Sequence, residues 1–207
     1  LYLRLVEGLI NKVTIVGLHF SSLDVRQESN THSKVLELIS ETTGALPATY
    51  ASLSDKEKIE LLTNISVTID ELRTDNAVFA DTLASVKAIK TIQDFNGGAG
   101  CNRYIISQCN SALNVLEVYG LFLLGGWKKE TLAADIVPLF ENIDDLKNAN
   151  DIMKTLYSNE TYSAHLARRK NKQTIMLGFS DGTKDGGYLM ANWSIYKAKE
   201  ELTAISK

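Results

Sequence analysis

The sequence predicts a helix-rich α/β protein whose strands run parallel. Three observations carry this. Short apolar runs bounded by Gly, Asp or Asn recur along the 207 residues, which is how strands buried on both faces read. Longer stretches with apolar residues on one helical face separate them, as parallel crossovers require. Only 2 prolines interrupt a chain rich in Ala, Leu, Ile and Lys, a helix-favouring composition. The alternation alone fits either an open doubly wound sheet or part of a closed barrel.

Taken in order, Tyr2–Asn11 predicts the end of a helix, and Val13–Asp24 predicts a buried strand rich in β-branched residues. Arg26 follows at that strand's carboxyl end, ahead of a helix over Thr31–Ile39 capped by Ser29 or Asn30. By itself the arginine reads equally well as an ion-pair partner of Asp24 or Glu28. Glu41–Ser52 is a loop, and Ser54–Thr63 and Thr74–Phe95 are helices that cover the sheet. Asn96–Gly100 is a flexible turn; it lacks the Gly-Lys-Ser/Thr ending of a phosphate-binding loop and precedes a strand.

Tyr104–Gln108 is the second strand, and Ser111–Leu124 a strongly apolar helix stopped by Gly125-Gly126. Ile136–Phe140 is the third strand, with Glu141 emerging at its end. Asp144 and Asp145 then open a helix through Leu156, where a helix N-terminus favours acids. Thr161–Lys170 is a short helix whose basic end needs no anion to explain it. Thr174–Phe179 reads as a buried fourth strand, followed by a loop dense in charge and glycine, Ser180–Gly187. The last helix carries Leu189, Trp193, Tyr196 and Leu202 on roughly one face.

A formal net charge of -3 argues against nucleic acid as a partner. No apolar run approaches the roughly 20 residues that span a bilayer, and no signal peptide is visible. Cys101 and Cys109 have neither zinc-site spacing nor the look of a disulfide framework, so a cytoplasmic setting is expected. His19 on the first strand, His32 in the helix after Arg26 and a surface His165 share no metal-ligand spacing. They read as structural. The chain opens on Leu1-Tyr2-Leu3 with no initiating Met, as a piece of something longer would.

The segment Gly178–Gly187, GFSDGTKDGG, resembles the GYSDSxKDxG signature of phosphoenolpyruvate carboxylases, with Phe179 for Tyr and Gly182 for Ser. Gly17–Ser29, GLHFSSLDVRQES, is similar to that family's FGLHLxxLDIRQES. The strand followed by SALNVLEVYGLF resembles YVISxAxxxSDVLxVxLL, and VPLFENIDDLKNANDIM resembles xPLFETLDDLxxAxxxM. The resemblance covers nearly the whole chain. It implies a (βα)₈ TIM-type barrel elaborated with helices, of which residues 1–207 would form a single contiguous fragment, about half of the barrel.

The family's residue roles carry over position by position. Arg26 would contact the phosphate of the substrate, a task for which a guanidinium fork is suited. Glu141 and Asp181 would be ligands of Mg²⁺ or Mn²⁺. Lys184 falls on the signature lysine and would counter phosphate charge, and Asp185 beside it would fix the loop. The implied catalytic set is therefore Arg26, Lys184 and Asp185. The implied reaction is carboxylation of phosphoenolpyruvate by bicarbonate, through carboxyphosphate and an enolate, to oxaloacetate and phosphate. Water must be shielded from the enolate, or it is lost as pyruvate.

Two family parts are not found in this sequence: a histidine in a TAHPT-type segment, and an FHGRGG-type glycine–arginine loop. The isolated chain is accordingly expected to be inactive, within a parent enzyme that is a homotetramer. An open half-barrel would present strand edges and apolar surface, so the fragment is expected to self-associate or to close those edges with its own helices. Two alternatives stand beside this reading. One is a helical interaction or scaffold domain derived from such a barrel; the other is a different metal-assisted, enolate-forming barrel enzyme.

Overall fold

The computed structural model describes residues 2–17 and 19–206. Four parallel strands, β1 (Leu23–Glu28), β2 (Cys101–Ser107), β3 (Asp135–Phe140) and β4 (Met176–Leu177), lie side by side in chain order. Each pairs in parallel with the next: Val25 opposite Tyr104, Ile105 opposite Val137, and Leu139 opposite Met176. The connections contain the helices α2 (Ser29–Thr42), α3 (Asp55–Thr63), α4 (Ala77–Asn96), α5 (Ala112–Leu124), α6 (Ile143–Ser158) and α7 (Glu160–Arg168). A helix α1 (Leu3–Val16) precedes the sheet and α8 (Ser180–Ile205) follows it. Among the described residues no helix is long and apolar enough to cross a membrane.

The core is organised by α5. Every one of its residues is buried, because it packs against α2, α3, α4, α6 and β3 at once. Its start is set by Ser111, which forms a reciprocal capping box with Asn114. Leu36, Ile39, Leu62, Leu83, Val86 and Ile89 from the surrounding helices meet Tyr104, Phe122 and Phe140 in one cluster. Ile105, Val137 and Leu139 form a separate small cluster. Strand alternation places it on the opposite face of the sheet. Trp127 is buried, stands edge-on to Phe122 and donates its indole N–H to the Val86 carbonyl at 3.1 Å.

Several expected elements are differently placed. Of the expected strand Val13–Asp24, Leu18 lies outside the described residues and just Leu23 and Asp24 are strand among the rest: α1 runs through Val16, Gly17 turns the chain at φ 56°, and β1 begins at Leu23. Helical spacing of Val6, Leu9, Ile10 and Val13 outweighs the β-branched content. His19 therefore lies in a turn. The helix after Arg26 starts at Ser29, with Glu28 at the N-cap position and no side-chain cap. The fourth strand shrinks to Met176–Leu177 and is not fully buried, since it has β3 as its one neighbour in the sheet. Gln173 ties the approach to it, accepting from the Tyr162 hydroxyl at 2.8 Å and donating to the Ile136 carbonyl at 2.9 Å.

The largest difference is at Ser180–Gly187. This stretch is helical, and α8 breaks within its length at Gly187, where φ is 78° and ψ 167°. The face that α8 buries is Gly182, Ala191, Ser194, Ala198 and Leu202, all small but Leu202, and it packs on α6. Leu189, Trp193 and Tyr196 point outward instead. Trp193 stacks on Tyr196 with the Lys197 ammonium 5.8 Å from its ring centre. At the other end of the chain, α1 has no buried residue, and Leu5, Leu9, Ile10 and Val13 are exposed along it.

Candidate active site

In a parallel sheet the carboxyl ends of all strands share one edge; Arg26 and Glu141 meet there, and α8, which carries Asp181, Lys184 and Asp185, begins just after β4. Arg26 lies inside β1, two residues before its end. Glu141 directly follows β3 and is 9% exposed. Arg26 Nη2 donates to Glu141 Oε1 at 2.9 Å across 115 residues of sequence. The partner of Arg26 is thus neither Asp24 nor Glu28; Asp24 is taken by Arg103 Nε at 2.7 Å. The other carboxylate oxygen, Glu141 Oε2, accepts the Gln108 backbone N–H at 2.7 Å.

Behind Glu141, the first turn of α6 is closed by a capping box. Asn142 Oδ1 accepts from the Asp145 N–H at 2.8 Å, and Asp145 Oδ2 accepts from the N–H groups of Glu141 and Asn142 at 3.4 and 3.3 Å. Asp145 is buried, which pushes its carboxyl up against the downward pull of those two amides. Asp144 is exposed and pairs with Lys147. Both acids therefore serve the helix, as the sequence suggests.

The start of α8 lies against the same corner. Gly178 N–H donates to the Phe140 carbonyl at 2.7 Å. A Cβ on Gly178 would come within 3.0 Å of Glu141 Cα, and one on Gly182 within 3.3 Å of the Glu141 carbonyl oxygen. Asp181, next to Gly182, pairs with Lys184 Nζ at 2.9 Å on an exposed turn. Asp185 Oδ2 reaches back to accept the Ile143 N–H at 3.0 Å, tying α8 to the first turn of α6.

The carboxylates here offer oxygen only, a donor set that fits a hard cation such as Mg²⁺ or Mn²⁺ better than zinc. Among the described residues no three His, Cys, Asp or Glu side chains are grouped as a metal cluster. Mg²⁺ sites commonly use just one or two protein carboxylates and complete the sphere with water and substrate oxygens.

Residues 2–207 match the family model described as phosphoenolpyruvate carboxylase. The chain belongs to that family. Proteins named phosphoenolpyruvate carboxylase from Gloeobacter violaceus, Nitrosomonas europaea and Synechocystis sp. are 31%, 34% and 32% identical to it over 211, 216 and 236 residues. The alignments take in 98–99% of this chain but 22–23% of those relatives. This phosphoenolpyruvate carboxylase family chain therefore spans under a quarter of their length.

Two of the three histidines are buried, one of them against expectation. His32 is fully buried in α2, with Nε2 3.0 Å from the Tyr104 hydroxyl. His165, expected on a surface, is buried against Tyr119 and Tyr162. Burial holds the two rings down, His32 at about 3 and His165 at about 4. Of the basic run after α7, Arg169 pairs with Asp135 at 2.6 Å. Cys101 and Cys109 are free, buried thiols.

Sequence reasoning missed three residues around the site. Gln108 supplies a backbone donor, which no side-chain motif announces. Ser29, one of two residues expected to cap α2, donates its hydroxyl to the Gln108 carbonyl at 2.8 Å. Glu117, in the middle of α5, is 1% exposed and accepts from Ser33 Oγ at 2.9 Å and Asn114 Nδ2 at 3.4 Å. A lone charge inside the apolar run SALNVLEVYGLFLL was the signal for it.

Proposed function

We propose that this chain is a contiguous fragment, residues 1–207, of a phosphoenolpyruvate carboxylase catalytic barrel. In that reading the parent enzyme carboxylates phosphoenolpyruvate with bicarbonate to oxaloacetate and phosphate. The observation that carries the reading is the meeting of Arg26 and Glu141 at 2.9 Å on the carboxyl edge of a parallel sheet, with Gly182 of the Asp181–Lys184 turn close to the Glu141 backbone. Strand order β1-β2-β3-β4 without reversal supports a barrel segment over a doubly wound sheet, whose order turns back on itself. The small apolar cluster on the second face of the sheet suits a barrel interior.

Glu141 and Asp181 are the proposed holders of Mg²⁺ or Mn²⁺. A divalent cation bound there would stabilise negative charge developing on the enolate oxygen of the substrate. Arg26 and Lys184 bind and orient the phosphate, and Asp185 acts by holding the α8 turn against α6. In the free chain each proposed metal carboxylate is paired with one proposed phosphate-binding base, Glu141 with Arg26 and Asp181 with Lys184. A cation on the acids and a phosphate dianion on the bases would replace both ion pairs together, so charge stays balanced when substrate arrives.

The chain alone is proposed to be inactive, and its parent a cytoplasmic homotetramer. Exposed apolar residues along α1 and on the outer face of α8 favour self-association of the fragment, or an interaction role. The test is a coupled assay of oxaloacetate with NADH. No turnover is expected from the purified chain. In the full-length parent, replacing the residue equivalent to Glu141 by Gln is expected to abolish turnover; unchanged turnover would refute the assignment.

A further inference from the structure

Gln108 has a backbone conformation that its residue type disfavours. Its φ is 52°, in the left-handed region that is disfavoured for a side-chain-bearing residue and is normally left to Gly or Asn. The Gln108 side chain is exposed, so it does not explain the strain. The two peptide groups around it do. The Gln108 N–H donates to Glu141 Oε2 at 2.7 Å, its carbonyl accepts from Ser29 Oγ at 2.8 Å, and the next N–H, of Cys109, donates to the Leu139 carbonyl at 3.2 Å. Ser29 is itself 5% exposed. The link from β2 to α5 is thus held at three points, by Glu141, the start of α2 and the end of β3.

One consequence concerns the carboxylate. The short run Arg26–Ser29 reaches both oxygens of Glu141: Oε1 directly through the guanidinium, Oε2 through Ser29 and the single strained residue Gln108. Backbone strain kept at such a place is sustained only where surrounding contacts over-determine it. We infer that Ser29 and the Gln108 backbone are positioning residues that fix the orientation of the Glu141 carboxylate. The functional meaning of this rests on Glu141 being a metal ligand as proposed above; its geometry does not. Outer partners of a metal ligand commonly matter by about 10- to 100-fold in affinity.

The test uses the ¹⁵N-labelled 207-residue chain, with two readouts: the Gln108 amide resonance, and affinity for Mn²⁺ alone by electron paramagnetic resonance. In the unsubstituted chain the Gln108 amide proton is expected downfield and protected from exchange, as a donor to a carboxylate. Ser29→Ala should move it upfield, speed its exchange by about tenfold and weaken Mn²⁺ binding by about tenfold, with the melting temperature little changed. Ser29→Thr, which keeps the hydroxyl, should restore both. Gln108→Gly, which keeps the N–H and relieves the strain, should retain Mn²⁺ affinity.

An unchanged Gln108 amide in folded Ser29→Ala would overturn the inference. So would loss of affinity in folded Gln108→Gly, since the side chain would then be what acts. Mn²⁺ affinity that survives Glu141→Gln, or is absent from the unsubstituted chain, would instead sink the metal assignment, while the amide readout still decides the positioning.

Discussion

Arg26 and Glu141 form an ion pair in which the two partners are unequally buried: the arginine side chain is 52% exposed and the glutamate 12%. The glutamate therefore depends on the pair more than the arginine does. Arg26→Ala leaves Oε1 of a buried carboxylate without its charged donor and is expected to lower stability by about 1–3 kcal/mol. Arg26→Lys should recover part of that, because an ammonium lacks the planar fork. Urea unfolding of the three proteins measures both effects.

Gly178 is where α8 approaches Glu141. An alanine there would press its Cβ to within 3.0 Å of Glu141 Cα, a backbone atom that cannot swing aside. Gly178→Ala is expected to lower stability by about 1–3 kcal/mol and to shift the amide resonances of Glu141 and Asp181 more than those of α3. Two-dimensional NMR with a parallel thermal melt checks this.

His32 and His165 are buried neutral, with ring values near 3 and 4 against an ordinary 6.5. The unfolded chain takes up these protons first as pH falls. Their contribution is complete above pH 6.5 and is lost as pH drops from 6.5 toward 4, on the order of 1 kcal/mol per pH unit for each ring. Denaturant titrations at pH 7.5, 6 and 5 should show the decline, and His165→Phe should roughly halve its slope, leaving the part due to His32.

Glu117 has the opposite sign. Burial pushes its carboxyl up to about 7, against the pull of Ser33, Asn114 and Lys58. In the folded chain it holds a proton that the unfolded chain has already released, so its stabilising protonation fades as pH rises from 4.5 toward 7. Glu117→Gln keeps an acceptor for Ser33 and Asn114 and removes the charge. It should stabilise the protein by about 1–3 kcal/mol at pH 8 and change it little at pH 5. Paired urea melts at the two pH values decide it.

The buried elements were the legible ones. Tyr104–Ile106 within β2, Ile136–Phe140 within β3 and most of Ala112–Leu124 carry their environment in their letters, since burial on both faces favours near-continuous apolar runs. The strand bearing Arg26 reads LDVRQE and hid behind the more apolar stretch before it, because a half-exposed strand needs no apolar run. Gly182 and Gly186 suggested a loop but serve close packing, against Glu141 and Ile143; only Gly187 breaks the helix. Arg26 and Glu141 were singled out through their family motifs. That they touch, and that a backbone amide from a third strand end completes the pair, depends on register and lay beyond any local pattern.

The two tryptophans sit in opposite surroundings, Trp127 at 6% exposure inside the core and Trp193 at 57% on the outer face of α8. Their fluorescence should therefore separate into a blue-shifted emission that iodide cannot reach and a red-shifted one that it quenches. The first follows global unfolding through the packing of Phe122 and α4. The second watches one helix face alone, so the native chain carries a built-in optical probe for whatever comes to cover that face.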